Sequence, residues 1–292
     1  MIWAPNLVWQ ATHGWAQLEV FGAIRERSAD PGATALWVPL QFAMSGWLAA
    51  PLWIAGLLRV LGSEDGRPWR ALGIAYVVLA VPLAVAAGVK PYYVAAMYLP
   101  LTAAGAVPFE RWWKRNGGRS RRMLIPAALV LLTIVSLPIV LPVLPARTLA
   151  DLPLQEANYD LGEQIGWPSF SAQVAHAWRS LPDDDRSRAI ILTGSYGEAA
   201  AIERYAEALP GPHSGHNTYW WWRKPPEETS VVLAVGLFEE EYLRGFFDEV
   251  HRIHTIDNGL GVDNEEQGAG IWLCRSSREP MHDMWLEFRH YN

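Results

Sequence analysis

The sequence predicts a membrane all-α unit of four transmembrane helices followed by a soluble α/β domain. Three observations carry that expectation. The first is a contrast in composition: 51% of the 292 residues are hydrophobic and 16 are Trp, yet the mean hydropathy is only +0.04. Two unlike halves averaged together produce such a number. The second is the charge map. Residues 31–58, 71–89, 91–109 and 123–146 hold no Asp, Glu, Lys or Arg, and these runs are 28, 19, 19 and 24 residues long. A spanning helix needs about 20 apolar residues, because the hydrocarbon core is about 30 Å thick. The third is the alternation of short apolar runs with amphipathic ones after residue 147, where charges are frequent.

Taken in order, residues 1–33 form an outer segment, 34–146 the four spans and 147–292 the soluble domain. Residues 5–27, PNLVWQATHGWAQLEVFGAIRER, mix Trp9, Trp15 and Phe21 with His13, Glu19 and Arg25. That mixture suits an interfacial segment rather than a span, since amphipathic rings settle at headgroup depth. It has no basic stretch ahead of an apolar one, so it does not read as a cleavable signal peptide. Buried core helices of a large soluble protein would show a polar face, which the four runs lack. The pairs Lys90-Pro91 and Gly117-Gly118 mark tight connections.

Orientation follows from Lys and Arg in the short loops. The loops after the first and third runs carry nine: Arg59, Arg67 and Arg70, then six more between Arg111 and Arg122. The opposite side carries Arg25, Arg27, Lys90 and Arg147. The expected topology is therefore multi-pass, with the C-terminal domain outside the cytoplasm; in a bacterium that means the inner membrane, with the domain in the periplasm or at the cell exterior.

In that domain, 188–194, 229–236 and 268–275 read as buried strands. Residues 171–181, 197–209 and 239–253 read as helices, giving a largely parallel sheet. A net charge of −6 implies no nucleic-acid partner. The single cysteine, Cys274, excludes an internal disulfide and a multi-Cys metal site.

Several residues carry chemistry. In GVKPYYVAAMYLP (88–100), Lys90 either snorkels to the interface beside an aromatic belt, or joins Tyr92 and Tyr93 in an anion site. His213 and His216 lie three apart in a Pro/Gly-rich loop; structure, a substrate-facing loop and a divalent metal site all stay open. Trp220, Trp221 and Trp222 suit sugar stacking or the membrane surface. Asp257, Asp263, Glu265 and Glu266 resemble a calcium loop only loosely, because the spacing is not that of an EF-hand. TGSYGEA (193–199) reads as a tight turn rather than a nucleotide fingerprint, and Asp183 to Asp185 as a solvated helix end. No cofactor and no metal ligand is assigned, although a divalent metal stays open.

The combination of PNLVWQ (5–10), HGWAQLE (13–19), the Lys-Pro-Tyr-Tyr turn, SGHN (214–217) and DNGLGVDNEEQG (257–268) resembles bacterial glycosyltransferase family 39. That family includes the protein mannosyltransferase and aminoarabinose lipid A transferase types. The resemblance spans nearly the whole chain. It implies the C-terminal part of a GT-C type bundle, moving a sugar from a polyprenyl-phosphate carrier to an extracytoplasmic lipid, protein or glycan. It implies that Lys90, Tyr92 and Tyr93 bind the carrier phosphate, and that His13, Trp15, Glu19, His216 and Asn217 face substrate. The family's catalytic carboxylate lies in an acidic motif of the first outer loop. No such motif occurs in residues 1–33, where Glu19 and Asp30 are the nearest carboxylates, so the sequence reads as a C-terminal portion with its base elsewhere. The alternative is a non-catalytic membrane-anchored module whose outer domain binds a cell-envelope partner. A coupled transporter is disfavoured, because the four runs hold no ionisable residue for an ion path.

Overall fold

The computed structural model describes residues 2–27, 31–47, 49–85, 90–116 and 118–291. The chain divides into two compact units, Met1–Ser136 and Leu137–Asn292. The division falls ahead of the boundary expected at 147. The end of the last apolar helix belongs with the second unit: the Asn158 side chain donates to Ile139 O (2.8 Å), and Pro138 and Leu141 line a pocket with Leu149, Leu161 and Ile165.

The first unit is helical. Its long helices are α1 (Ala4–Thr12), α2 (Ala16–Arg27), α3 (Pro31–Ser45), α4 (Ala50–Gly62), α5 (Arg70–Val85), α6 (Tyr98–Asn116) and α7 (Arg119–Val140). Among the described residues, two helical stretches, Arg67–Val85 and Met123–Val140, are long and apolar enough to cross a membrane. A third candidate arises if the bent pair Ala35–Ser45 and Ala50–Gly62 counts as one. In α7, Leu124, Leu131 and Ile134 each leave about 60% of their surface open. Apolar faces of that extent are what lipid, not water, covers. These helices mark a membrane-associated chain.

Two of the four expected spans take another form. The first run breaks, and α3 and α4 meet at 104°; Gly46 at the break has φ +79°, a conformation that favours glycine. The third run opens as a seven-residue 3₁₀ helix, Pro91–Met97. It becomes α-helical only from Tyr98, and α6 then runs on into Glu110, Arg111, Lys114 and Arg115.

Around Trp53 of α4 gather Trp37, Tyr76, Val94, Tyr98 and Leu101. Three polar side chains in and beside this cluster find partners, while Trp37 Nε1 is buried without one. Tyr98 donates its hydroxyl to Gln41 Oε1, the Gln41 amide donates to Trp37 O (3.1 Å) and Trp53 Nε1 donates to Ser45 Oγ (2.9 Å). Helices α4 and α6 touch backbone to backbone at two glycines. A Cβ on Gly56 would lie 1.8 Å from Leu101 O, and one on Gly105 1.8 Å from Leu52 O. Small residues are what allow apolar helices to approach so closely.

The second unit is an α/β layer. Its strands are β1 (Ala189–Thr193), β2 (His213–Ser214), β3 (Val231–Gly236), β4 (Phe247–Thr255) and β5 (Gly270–Ser277), in the order β2-β1-β3-β5-β4. The three strands expected from sequence are all present, but the sheet is mixed rather than largely parallel. β1 runs parallel to β2 and β3, while β5 runs antiparallel to β3 and β4. Residues 239–253, expected as one helix, stop being helical at Arg244 and become β4. Gly245 interrupts the helix. Phe247 and Val250 then meet the core, and pairing with β5 satisfies the backbone. Helices α8 (Trp167–Ser180) and α9 (Tyr196–Tyr205) pack together on one face of the sheet. Phe170, Val174 and Trp178 of α8 fill that side with Ile191, Leu233 and Ile271.

Candidate functional site

The Lys90 turn is held rigidly on one side and open on the other. Lys90 stands as N-cap of the 3₁₀ helix, and Tyr93 N donates back to its carbonyl (3.3 Å). Proline at the next position cannot donate a backbone hydrogen bond, and it favours an extended residue before it; Lys90 has φ −60° and ψ 130°. Val94 and Leu101 are fully buried, so the turn is anchored in the Trp53 cluster. Tyr92 and Tyr93, at 46% and 47% exposure, face outward with Lys90, their rings edge to face at 5.3 Å. The arrangement offers one ammonium and two phenols on the surface of an apolar helical unit. It suits an anionic oxygen cluster: Lys gives a point charge and Tyr a directed donor.

His13, Trp15 and Glu19 lie at the joint between α1 and α2. Gly14 and Trp15 have positive φ, +69° and +59°, which turns the chain. His13 Nδ1 sits 2.8 Å from Trp9 O, and its ring stacks on Trp9 at 4.3 Å. Gln10, 8% exposed, closes the joint by accepting from Gln17 N (2.9 Å). Glu19 is exposed on α2. Asp30 lies outside the described residues.

His216 and Asn217 sit beyond the carboxyl ends of the parallel strands. His216 is 2% exposed. Its Nδ1 accepts from Tyr196 N (3.3 Å), and its ring stacks on His290 at 4.8 Å and packs against Tyr196 at 4.7 Å. Asn217 has φ +53°, donates its N–H to His290 O (3.0 Å) and keeps a buried Oδ1 without a partner. Gly215 is indispensable to this clamp, since a Cβ there would lie 1.8 Å from Phe288 O. His213, expected as a possible partner of His216, instead directs Nδ1 to Arg223 O (3.0 Å). Burial lowers its pKa. Among the described residues, the one group of side chains able to hold a metal contains neither histidine.

The C-terminal end of β1 and β3 is where open α/β sheets bind ligands, because connections leave in opposite directions there. Here the protein fills that place itself. Ser195 caps α9 through a capping box with Glu198. The Glu198 carboxyl, 0% exposed, accepts from Ser195 N and from Leu237 N, both at 3.0 Å. It thus bridges the loops after β1 and β3. Burial outweighs these donors and raises its pKa to about 8. TGSYGEA is therefore a tight turn closed by its own glutamate, as its sequence suggests.

Sequence reasoning missed Glu198, His290 and Tyr196. Ser195-x-x-Glu198 is a capping-box spacing, so one of the three carried a local signal; His290 carried none. Together the two units define an apolar, membrane-associated helical unit joined to a mixed α/β unit. No family model, no curated protein and no solved structure matches the chain.

Proposed function

We propose that this chain is the donor-binding part of an integral membrane glycosyltransferase, one that transfers a sugar from a polyprenyl-phosphate carrier to an extracytoplasmic acceptor. The observation that carries the reading is the Lys90 turn. An exposed cation and two half-exposed phenols project from a 3₁₀ helix anchored in an apolar cluster. A lipid phosphate needs a cation and donors on its head and apolar surface along its tail, and this turn supplies the two side by side. The reaction is displacement at the anomeric carbon. The acceptor oxygen forms the new glycosidic bond as the bond to the phosphate oxygen breaks. Lys90 offsets the charge that develops on the leaving phosphate. No described residue is assigned as the base. In this reading the four apolar runs form the end of a GT-C bundle in a bacterial inner membrane, with the α/β unit outside the cytoplasm.

The test is donor-lipid turnover by membranes containing the full reading frame, with Lys90→Ala against the parent. Loss of a charge-assisted hydrogen bond costs about 1.5–3 kcal/mol, roughly ten- to a hundredfold in donor use. Lys90→Arg should recover only part of it, because a planar fork does not replace a point charge in a fitted site. Parental turnover by Lys90→Ala, or no turnover by the parent, defeats the proposal. The second of these results would favour a non-catalytic anchored module.

A further inference from the structure

Two arginines at one end of the helical unit lack a counter-charge. Arg59 lies in the last turn of α4, and Arg70 opens α5. The turn between them is tight. Ser63 N and Ser63 Oγ both donate to Arg59 O (3.0 and 2.8 Å), and a Cβ on Gly66 would lie 2.1 Å from the same oxygen. Past the turn, α5 packs back on α4: a Cβ on Gly73 would meet Val60 Cγ2 at 2.7 Å and Leu61 Cδ2 at 2.8 Å. Arg59 and Arg70 therefore stand on adjoining helix ends.

The carboxylates nearby are engaged elsewhere. Glu64 faces Arg67 (3.8 Å), Asp65 pairs with Arg111 (3.0 Å) and Glu110 with Lys114 (2.6 Å). Among the described residues, no carboxylate lies within ion-pair distance of Arg59 or Arg70. Arg59 donates once, to Ala104 O of α6 (3.3 Å). The Nε atoms of Arg59 and Arg70 are both shut off from solvent and meet no acceptor. Shielded donors on a charged group call for an acceptor.

The surroundings select that acceptor. Each arginine follows a large apolar side chain left open: Leu58, 67% exposed, precedes Arg59, and Trp69, 59% exposed, precedes Arg70. The stretch Arg67–Val85 is long and apolar enough to cross a membrane. Its first turn then lies where hydrocarbon gives way to headgroups, a depth that Trp favours. An occupant that answers both the guanidinium donors and the open apolar surface carries anionic oxygens on a hydrocarbon stem. Guanidinium forks match phosphate oxygens, and basic sites between apolar helices suit lipid headgroups. A zwitterionic lipid would bring its own cation to a site that already has two. We propose that Arg59 and Arg70 bind the headgroup phosphate of an acidic phospholipid, whose acyl chains cover the apolar side chains beside them. The site is distinct from the Lys90 turn and does not rest on donor binding there. Lys90 precedes α6, whereas Arg111, which holds the Asp65 turn, lies about 20 Å along that helix from Tyr98 at 1.5 Å per residue.

The experiment uses the intact chain, delipidated in detergent and titrated with phosphatidylglycerol or phosphatidylcholine. Native mass spectrometry counts bound lipid, with thermal melts in parallel. One phosphatidylglycerol that saturates, outlasts phosphatidylcholine and raises Tm is expected. Arg59→Gln and Arg70→Gln should each weaken its retention roughly tenfold. Lys114→Gln removes the same charge but touches only the exposed Glu110, and should leave retention unchanged. Without lipid, Arg70→Gln should melt at or above the parental temperature, because its side chain makes no hydrogen bond among the described residues and an unsatisfied charge is removed; that separates loss of a ligand from loss of the fold. A folded parent with no preference for phosphatidylglycerol overturns the proposal. So does retention that survives both arginine substitutions, or an equal loss in Lys114→Gln, which would mark a diffuse charge effect. An equal rise in Tm with inorganic phosphate alone also overturns it, since the site would then take a free anion.

Discussion

Glu198 offers the sharpest test of how the α/β unit is held together. Its side chain is fully buried, and each oxygen accepts one backbone N–H, from Ser195 and from Leu237. Glu198→Ala orphans both donors. Each buried orphan costs about 1–3 kcal/mol and the lost methylene about 0.8, together about 3–7 kcal/mol. Glu198→Gln keeps the shape of a neutral carboxyl, but its NH2 cannot accept, so one of the two backbone donors is orphaned. With the native pKa raised to about 8, the parent carries the neutral acid at pH 7, and Gln should cost about 1–3 kcal/mol there, less than Ala. The pH dependence follows from the sign of the shift. The folded pKa lies above the unfolded value, so the native state holds the extra proton between them and stability falls as pH rises. From pH 5 to pH 8 the parent loses up to about 4 kcal/mol through this group, at about 1.4 kcal/mol per pH unit. Glu198→Gln is exempt from that loss, so its gap to the parent should narrow toward the upper end. The assay is pulse proteolysis of the intact detergent-solubilised chain across a urea series at pH 5 and pH 8. A Gln variant as damaged as Ala at pH 7, with a pH-independent gap to the parent, would refute a neutral buried carboxyl.

Gly105→Ala should destabilise the helical unit by about 1–3 kcal/mol or more, since its Cβ would meet the Leu52 carbonyl on a neighbouring helix. Gly62→Ala, with open space around it, should be neutral or slightly stabilising; thermal aggregation in detergent compares the two. Cys274 is fully buried, and burial pushes its thiol up to about 12. A maleimide should therefore label the chain only after denaturation, and native-state labelling would show that the core of β5 opens.

Charge-free runs announced an apolar half because exclusion of charge is a property of composition, visible one residue at a time. They did not announce where those runs break. Gly46 and the Lys90-Pro91 pair are local signals, but whether a run bends at such a point depends on what the other helices pack against it. β1, β3 and β5 were legible as apolar runs between turns. β4 was not, because FDEVHRIHT has one exposed face and borders a helix, and only pairing with β5 makes it a strand.

By itself, then, the sequence determined the division into an apolar half and a charged one, the principal strands, and the placing of a lone Lys with two Tyr in a proline turn. Those features depend on near neighbours along the chain, where spacing and composition act directly. Only the tertiary structure decided the mixed direction of the sheet, the clamp of His216 on His290, and the closing of the strand-end crevice by Glu198. Each of these joins residues distant in sequence or turns on which segments share a buried surface. Their energy comes from long-range burial and pairing, which leaves no periodic trace in either partner alone.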